Sequence, residues 1–391
     1  MRSLLLFLAL TFALATTPVL ASDTRTVVDM RGRTVTLPDN IKKVATVDDG
    51  FIEEVMINFG LIDYLTAVSS RYMLRELDSS FETVSGENIR YNSTDVLRVM
   101  HPRMMELPSF QAMEGGALNF EVLAQIQPDL IILRAGDCAL SRDKTRLTKT
   151  VQALESFGWA TVVLTAPGFD QADTNAIKKE ITLLGEIFDR REQAEILTAY
   201  LMEVEDNVSK RVLQIPEEEK VSMLYMGLAS FIRRMSATAS AMGSDSPVSF
   251  IMEKQVHAQN AYRGQGFGVH LSTEQLYALD PDVLVLSPLG GYHPPKELYE
   301  SPDFADLAEL NAIKNRRVYA MPWRPTFCAP RLQYPLDLLV MAKAAYPERF
   351  ADLNIYEFSL EFYRNIYGVD SETAKKLRSV QMLDWMADEN F

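Results

Sequence analysis

Arginines and aromatic residues stand at turns that follow short apolar runs, and their chemistry could recognise a small molecule. A guanidinium pairs with carboxylate or catecholate oxygens, and aromatic rings pack against planar groups. In open α/β folds, ligands bind beyond the carboxyl ends of parallel strands. This rule selects the candidate ligand-binding residues Asp49, Arg71, Tyr72, Arg134, Phe231, Arg233, Trp323, Arg324 and Phe327, and the glycine-rich loop at residues 260–270 adds Tyr262. Asp48 and Asp137 occupy the same turns. The mixture predicts a large, flat or anionic ligand.

Residue spacing gives less support to metal ligation or catalysis. The histidines are His101, His257, His270 and His293, and none stands in a spacing such as H-x-x-x-H. The sequence has no P-loop, G-x-S-x-G elbow, H-E-x-x-H motif or dinucleotide glycine fingerprint. We therefore expect no metal site of the protein's own, no intrinsic cofactor and no enzymatic activity. Convergence of His101 and His293 on a metal is the alternative.

The chain has two cysteines, Cys138 and Cys328, which are far apart in the sequence. Free cysteines favour protein interiors, so the first interpretation is a pair of buried thiols. In an oxidising compartment they could instead form one bridge. Such a bridge would have to span the two halves of the chain.

A repeated pattern positions these candidate residues. Residues 118–133, LNFEVLAQIQPDLIIL, have a second copy at residues 270–286, HLSTEQLYALDPDVLVL. Each copy reads as a short amphipathic helix, a Pro-Asp stop and a strand buried on both faces. Two copies in register, one in each half, predict two similar lobes. Glu121 and Glu274 occupy equivalent positions near the start of the two helices.

Between the copies lies one uninterrupted helical pattern. Residues 189–213 contain no Gly or Pro, and apolar residues recur there at spacings of three and four. Strands and helices alternate on both sides of it, which predicts mostly parallel sheets. The predicted fold is α/β, with two Rossmann-like lobes. The long helix is either an ordinary surface helix of one domain or, as its position between the two copies favours, the connection between the lobes. The expected divisions are an N-terminal lobe at residues 22–188, the linking helix at 189–213 and a C-terminal lobe at 214–391.

The repeated helix–Pro-Asp–strand pattern resembles the periplasmic substrate-binding proteins of ABC importers, in the iron-siderophore and cobalamin class. The phrase NAIKNRRVYAMP at residues 311–322 is similar to another frequent phrase of that family. The resemblance implies two rigid lobes joined by one helix and capture of a ligand in the cleft between them. It also implies that Glu121 and Glu274 dock onto the permease dimer in the inner membrane.

The resemblance further implies a cargo that carries its own metal, in the manner of a ferric siderophore. A corrinoid, haem or a molybdate-type oxyanion is the alternative within the class, and a two-lobed periplasmic enzyme is the alternative outside it. We expect a monomer that meets two partners, a small metal chelate and the permease. The region 73–117 is expected to be an irregular loop with short helices beside the cleft.

The composition and the N-terminal residues limit where the protein is located and which partners it has. The chain has 391 residues with a net charge of -14 and a pI near 4.9, so it lacks the basic stripe of a nucleic-acid-binding protein. Residues 1–21 show a basic start, a short apolar core and small residues before a cleavage position, as in a secretory signal peptide. The residue directly after that position is Ser22 and not a cysteine, so we expect a periplasmic protein without a lipid anchor.

Overall fold

The structure is a computed structural model that describes residues 24–113, 115–140, 143–169, 175–227, 239–288, 294–326 and 328–391. The strands are β1 Thr24–Val28, β2 Thr34–Pro38, β3 Val44–Val47, β4 Leu65–Val68, β5 Glu76–Glu82, β6 Asn88–Thr94, β7 Leu130–Ala135, β8 Thr161–Thr165, β9 Ser222–Gly227, β10 Ala239–Ala241, β11 Gln259–Asn260, β12 Val269–Leu271, β13 Val283–Leu286 and β14 Val318–Ala320. The α-helices are α1 Phe51–Asn58, α2 Val96–Met100, α3 Phe120–Ile126, α4 Lys144–Ser156, α5 Asn175–Ile187, α6 Arg191–Val212, α7 Pro247–Phe250, α8 Thr273–Leu279, α9 Pro295–Glu300, α10 Asn311–Lys314, α11 Tyr334–Ala345, α12 Ile355–Tyr367, α13 Ser371–Val380 and α14 Trp385–Asp388. Of these described helices, none combines the length and apolarity needed to cross a membrane.

The first lobe is built on a four-stranded parallel sheet in the order β4-β3-β7-β8. Every residue of β3 and β7 is buried, because helices cover both faces of the sheet. A hairpin of β1 and β2, which pair antiparallel, lies at the start of the first lobe.

The second lobe is built on a mixed sheet in the order β12-β10-β9-β13-β14, with β11 paired to β9. The pairings of β9 with β13, β13 with β14 and β9 with β11 are parallel. β10 runs antiparallel to both of its neighbours, β9 and β12. The parallel strands of this sheet therefore resemble the parallel sheet of the first lobe. The antiparallel strands β10 and β12 at its edge have no counterpart in the sheet of the first lobe.

The two repeat copies fold alike, which confirms the two-lobed α/β class. Each copy forms a short helix, α3 or α8, followed by a central strand, β7 or β13. Each helix ends at a residue with a left-handed backbone, Gln127 or Asp280, just before the Pro-Asp pair. Asp129 Oδ2 accepts hydrogen bonds from the backbone N–H groups before β3, and Asp282 Oδ2 does the same at the start of β9. The aspartate of each pair thus fixes the start of the neighbouring strand.

The predicted linking helix is present and unbroken as α6. Its buried side chains form one stripe along the helix, as the spacing of apolar residues predicted: Ala194, Leu197, Thr198, Leu201, Val204, Val208 and Val212. This face packs against α5 of the first lobe and α11 of the second. The helix is thus buried against both lobes along its length, which suits a rigid connection.

The region 73–117 differs from the prediction of an irregular loop. Its first part forms a regular antiparallel hairpin of β5 and β6, and short helical turns follow. The hairpin reaches the second lobe, because Val84 N donates to Glu300 O at 2.8 Å and Ser93 Oγ donates to Val380 O. Its strand residues alternate between exposed and half-buried, and the polar residues on the exposed face weaken the strand signal in the sequence.

Cys138 and Cys328 form a disulfide with a Cα–Cα distance of 5.2 Å. The first interpretation, two free thiols, is therefore wrong. Sequence separation carries no information about this distance. The fold brings the turn after β7 against the loop after β14, and the bond joins the two lobes.

Candidate functional site

The carboxyl ends of β3 and β7 bring together three aspartates. Asp48 and Asp49 follow β3 directly, and Asp137 lies two residues beyond β7. One carboxylate oxygen from each lies within 4.8 Å of the others, and all three side chains are buried. Because β3 and β7 are adjacent parallel strands, their following turns meet at one edge of the sheet. We call these residues the aspartate cluster.

Asp48 and Asp137 each use one carboxylate oxygen to accept hydrogen bonds from nearby backbone N–H groups. Asp48 Oδ2 accepts from Ile52 N at 2.5 Å and from Gly50 N at 3.2 Å, at the start of α1. Asp137 Oδ1 accepts from Leu140 N at 3.1 Å. Such bonds between an aspartate and the next turn are ordinary structural features. They leave the second oxygen of each carboxylate, Asp48 Oδ1 and Asp137 Oδ2, for another role.

Arg134 lies beside the aspartate cluster and is bonded elsewhere. Its guanidinium donates to both carboxylate oxygens of Glu180 at 2.7 and 2.9 Å, and to Pro330 O at 2.9 Å. Its Nη1 lies 3.8 Å from Asp49 Oδ1, and its charge stands over the ring of Phe51 at 4.0 Å. The fold therefore brings two candidate ligand-binding residues, Asp49 and Arg134, together in a buried ion-pair network.

Residues 326–333, except Phe327, run from the second lobe across to the first, and we call them the crossing segment. Thr326 Oγ1 donates to Asp49 O at 3.3 Å. Arg331 donates to Glu54 Oε1 and to Asp95 Oδ2, both at 2.8 Å, and none of these three side chains reaches solvent. The two lobes thus meet here through buried charged groups.

The remaining candidates divide between buried and exposed positions. Trp323 and Arg324 are buried, and an ion pair joins Arg324 to Asp337. Arg71 is exposed and donates to Leu107 O at 2.8 Å. Tyr72 is half-buried and lies against the guanidinium of Arg75.

Tyr262 is half-buried, and its N–H donates to Asn260 Oδ1 at 3.0 Å. Phe231, Arg233, Phe327 and the histidine considered as a metal ligand, His293, lie outside the described residues.

Sequence reasoning missed several charged residues that build this region: Glu53, Glu54, Asp95, Glu180, Arg331 and Asp337. Glu53 and Glu54 carried a usable signal, because two acids stand there in an otherwise apolar helix, FIEEVMIN. Acids on a face that must be buried call for a partner. Arg331 carried no such signal, since its partners lie 236 and 277 residues away.

Burial dominates the electrostatics of the site. The pKa values of Glu53 and Asp137 lie well above their ordinary range, because burial disfavours their charged forms and neighbouring aspartates repel them. Burial also raises the pKa of Glu180 to about 7, although Arg134 opposes the shift. It raises the pKa of Asp337 to about 6 against the opposing effect of Arg324. The region between the lobes is therefore rich in carboxyl groups that resist ionisation.

These shifts predict that the protein becomes less stable as the pH rises from about 4 to about 7. Glu180 and Asp337 have folded-state pKa values of about 7 and about 6, above the ordinary values of 4.5 and 3.8. Both bind protons more tightly when folded, so their stabilisation is complete below the ordinary values and is lost as pH rises through the shifted ones. Each pKa unit corresponds to about 1.4 kcal/mol, which gives an expected loss of several kcal/mol.

Urea unfolding across this pH range measures that loss. Glu180→Gln should flatten the profile, because the amide has no proton to release. An unfolding free energy that rises with pH in the wild-type protein would contradict the prediction.

The two repeated glutamates lie on equivalent helices. Glu121 is in the first turn of α3, which Asn119 caps, and Glu274 is in the first turn of α8, which Ser272 caps. Both glutamates are exposed. Ser272 and Gln275 complete a reciprocal capping box, so this helix start is well fixed. Each lobe thus presents one carboxylate to solvent in the same local setting.

Known proteins share features of this sequence and architecture. The sequence model of the periplasmic binding protein family matches residues 110–325. A periplasmic solute-binding protein from Veillonella parvula has a similar structure, with a TM-score of 0.73 and 20% identity over 94% of this chain and 100% of that one. A comparison with curated proteins finds no match.

Two further solved structures are similar at lower identity. The molybdate-binding protein MolA of Haemophilus influenzae has a TM-score of 0.63 and 16% identity, over 88% of this chain and 98% of that one. The petrobactin-binding protein YclQ of Bacillus subtilis has a TM-score of 0.57 and 16% identity, over 83% and 99% of the two chains. At these identities the likeness shows the fold, and the family match covers more than half of the sequence. The chain belongs to the periplasmic binding protein family, whose members are the solute-binding proteins of ABC transporters.

Proposed function

We propose that this protein captures an iron-siderophore-type metal chelate between its lobes and delivers it to the permease of an ABC importer. The observation that carries the proposal is that the crossing segment of the second lobe contacts Asp49 and Arg134 at the carboxyl ends of β3 and β7, where ligands bind in open α/β sheets. The long helix α6 keeps the lobes at a fixed separation, so only a small closure is expected. Residues 1–21 would direct export to the periplasm.

The charges between the lobes bear on the sign of the cargo. Arg134, Arg324 and Arg331 are each paired with a carboxylate, and the aspartate cluster adds further acid. An anion in this region would meet repulsion from ionised carboxylates, because the charge of each of these arginines is already balanced by its partner. This favours a neutral or cationic chelate, of the hydroxamate type, over a molybdate-type oxyanion.

Haem and corrinoids remain the other cargo candidates, and a two-lobed periplasmic enzyme remains the candidate from another class. Native mass spectrometry and an absorbance spectrum of protein purified from the periplasm separate them. A ferric hydroxamate, haem and a corrinoid have different masses and colours, whereas an oxyanion has no visible absorbance. A cargo that is chemically converted during incubation would support the enzyme and overturn the receptor.

Docking through Glu121 and Glu274 gives a second prediction. The double variant Glu121→Ala with Glu274→Ala should bind cargo with near wild-type affinity but abolish uptake, because two separated charges orient the receptor on its partner. A matched control replaces two other exposed glutamates, Glu192 and Glu218, with alanine.

The effect on transport is measured as uptake of radiolabelled iron chelate by cells that express each variant. The effect on cargo affinity is measured by equilibrium binding to the purified proteins. Normal uptake by the first double variant, or lost binding, would contradict the docking assignment. Reduced uptake in the control would show a general effect of lost surface charge.

A further inference from the structure

The aspartate cluster has oxygens that the fold does not use. Asp48 Oδ1 and Asp137 Oδ2 are buried, and neither has a hydrogen-bond donor within the part of the chain that the structure describes. Their partner oxygens, Asp48 Oδ2 and Asp137 Oδ1, already hold the turns that follow β3 and β7. One oxygen of each of these two aspartates therefore fulfils its structural role, and the other is left for a ligand. Buried polar atoms are seldom left without a partner.

A fourth carboxyl group, outside the cluster, gives independent support. Glu53 is fully buried on α1, and its Oε1 accepts from the hydroxyl of Thr46. Its Oε2 has no donor among the described residues, and the side chain interacts with Asp48. A carboxylate in this position adds repulsion unless a positive species lies between the groups.

The neighbouring cation, Arg134, supplies only part of the positive charge that these carboxylates require. Arg134 is held by two hydrogen bonds to Glu180 and one to Pro330 O. Its Nη1 has no hydrogen-bond partner among the described residues and lies 3.8 Å from Asp49 Oδ1. Within the described ranges, no ion pair reaches Asp48, Asp137 or Glu53. One arginine that is already paired with Glu180 does not balance several buried carboxylates. These carboxylates therefore need either shared protons or a bound cation.

We propose that Asp48, Asp49 and Asp137 ligate a hard, oxygen-preferring cation at the carboxyl ends of β3 and β7, where the two lobes meet, and that Glu53 adds negative charge beside this site. The donor set consists of carboxylate oxygens, which suit Ca²⁺, Mn²⁺ or Fe³⁺ better than thiophilic metals. This inference rests on the proposed function, since it puts direct metal ligation in the same region. The cation is either the metal centre of the captured chelate or a separate ion.

Titration of the full-length mature protein with Mn²⁺ tests the proposal, after removal of bound metals with EDTA. Calorimetry at pH 7 should show one ion bound per chain, and thermal unfolding should shift upward with added Mn²⁺. In Asp137→Asn the affinity should fall by at least about tenfold, and the thermal shift should disappear. The control Glu218→Gln, an exposed position, should match the wild-type protein.

The Asp137→Asn variant also reports on its own folding. The amide oxygen of the new side chain can still accept from Leu140 N, and the change removes repulsion, so the metal-free variant should unfold at or above the wild-type temperature. A variant that folds and binds Mn²⁺ as tightly as the wild-type protein would overturn the proposal. Absence of Mn²⁺ binding to the wild-type protein, with Ca²⁺ and Fe³⁺ also inactive, would assign the cluster to shared protons and overturn it as well.

A parallel binding experiment with the 1:1 ferric complex of a dihydroxamate separates this inference from the receptor proposal. This chelate is cationic, and water fills two of the six iron positions, so protein carboxylates can replace that water. If the wild-type protein and Asp137→Asn bind this chelate equally and neither binds the bare ions, the receptor proposal stands and direct ligation fails. If Mn²⁺ binds and the chelate does not, the ion is resident, and the chelate assignment fails while the cation site stands. If Asp137→Asn loses binding of both Mn²⁺ and the chelate, direct ligation of the chelate's metal is supported.

Discussion

Replacing both cysteines, Cys138→Ser with Cys328→Ser, should lower the free energy of unfolding by about 2–5 kcal/mol. The bond closes a loop of 190 residues, and the chain-entropy estimate for a loop of this length is about 5 kcal/mol. Most of the effect arises in the unfolded chain, which gains freedom when the ends of the loop can separate. The length of the loop places this bond among the largest single contributions to stability that we predict.

The bond should also restrict motion between the lobes. It joins the turn after β7 in the first lobe to the crossing segment, beside the contacts of Arg134 and Thr326. Without the disulfide, only noncovalent contacts, such as those of Arg134 and Thr326, hold the crossing segment against the first lobe. Small-angle scattering of the double variant without ligand should therefore show a larger radius of gyration than that of the oxidised wild-type protein.

Urea unfolding with and without a reductant tests the stability claim. The reduced wild-type protein should resemble the double serine variant, and the variant itself should not respond to reductant. Mass spectrometry confirms that the wild-type bond has opened. If the confirmed reduced protein unfolds at the same urea concentration as the oxidised one, the cross-link contributes no stability and the prediction is wrong.

Local patterns predicted the parts of the fold that depend on local physics. The Pro-Asp pairs end α3 and α8 because proline restricts the residue before it, and the apolar runs that follow become central strands. The stripe on α6 follows from helical periodicity alone. Each of these signals lies within about 25 residues of sequence, and the repeat supplied the long-range relation between the two lobes.

The contacts between the lobes had no comparable signal. The partners of Arg331 come from α1 and from the residue that caps α2, and the partner of Cys138 lies 190 residues away. The sequence correctly placed Asp49 and Arg134 near the same strand ends but could not show that the arginine was already paired with Glu180. Pairing between distant charges depends on the assembled lobes. A single sequence contains the charges but not their distances.

Arg331→Met should be the most damaging single substitution that we predict, with a loss of about 3–5 kcal/mol in the free energy of unfolding. The guanidinium lies between Glu54 and Asp95, with donor–acceptor distances of 2.8 Å to each. All three side chains are excluded from solvent. Removal of the cation leaves two buried carboxylates facing an apolar side chain, and both would have to bind protons or rehydrate.

The backbone around Arg331 is shaped to fit it. Gly50 has a φ of 118°, and a Cβ built there would lie 2.7 Å from the Arg331 guanidinium carbon. Glycine is therefore required at this position both for its backbone conformation and for space. Asp95 also accepts from Leu97 N at 2.9 Å and thereby caps α2, while Glu54 accepts from Leu332 N at 2.9 Å. Loss of the arginine would disturb both lobes at once.

A surface pair provides the matched control. Arg90 donates two hydrogen bonds to Asp78, at 2.9 and 2.6 Å, but both side chains are largely exposed. Arg90→Met should produce little measurable change, because water replaces the lost partner. The comparison holds the substitution and the ion-pair chemistry constant and varies burial.

Compensating substitutions distinguish lost charge balance from lost packing. Arg331→Met combined with Glu54→Gln and Asp95→Asn removes the unpaired charges and should recover part of the stability, since a neutral replacement for a buried ion network is often tolerated. Urea unfolding at pH 7 compares the two proteins. If the triple variant is less stable than Arg331→Met alone, the carboxylates were not the source of the loss. The role of Arg331 would then lie in filling space between α1 and the crossing segment.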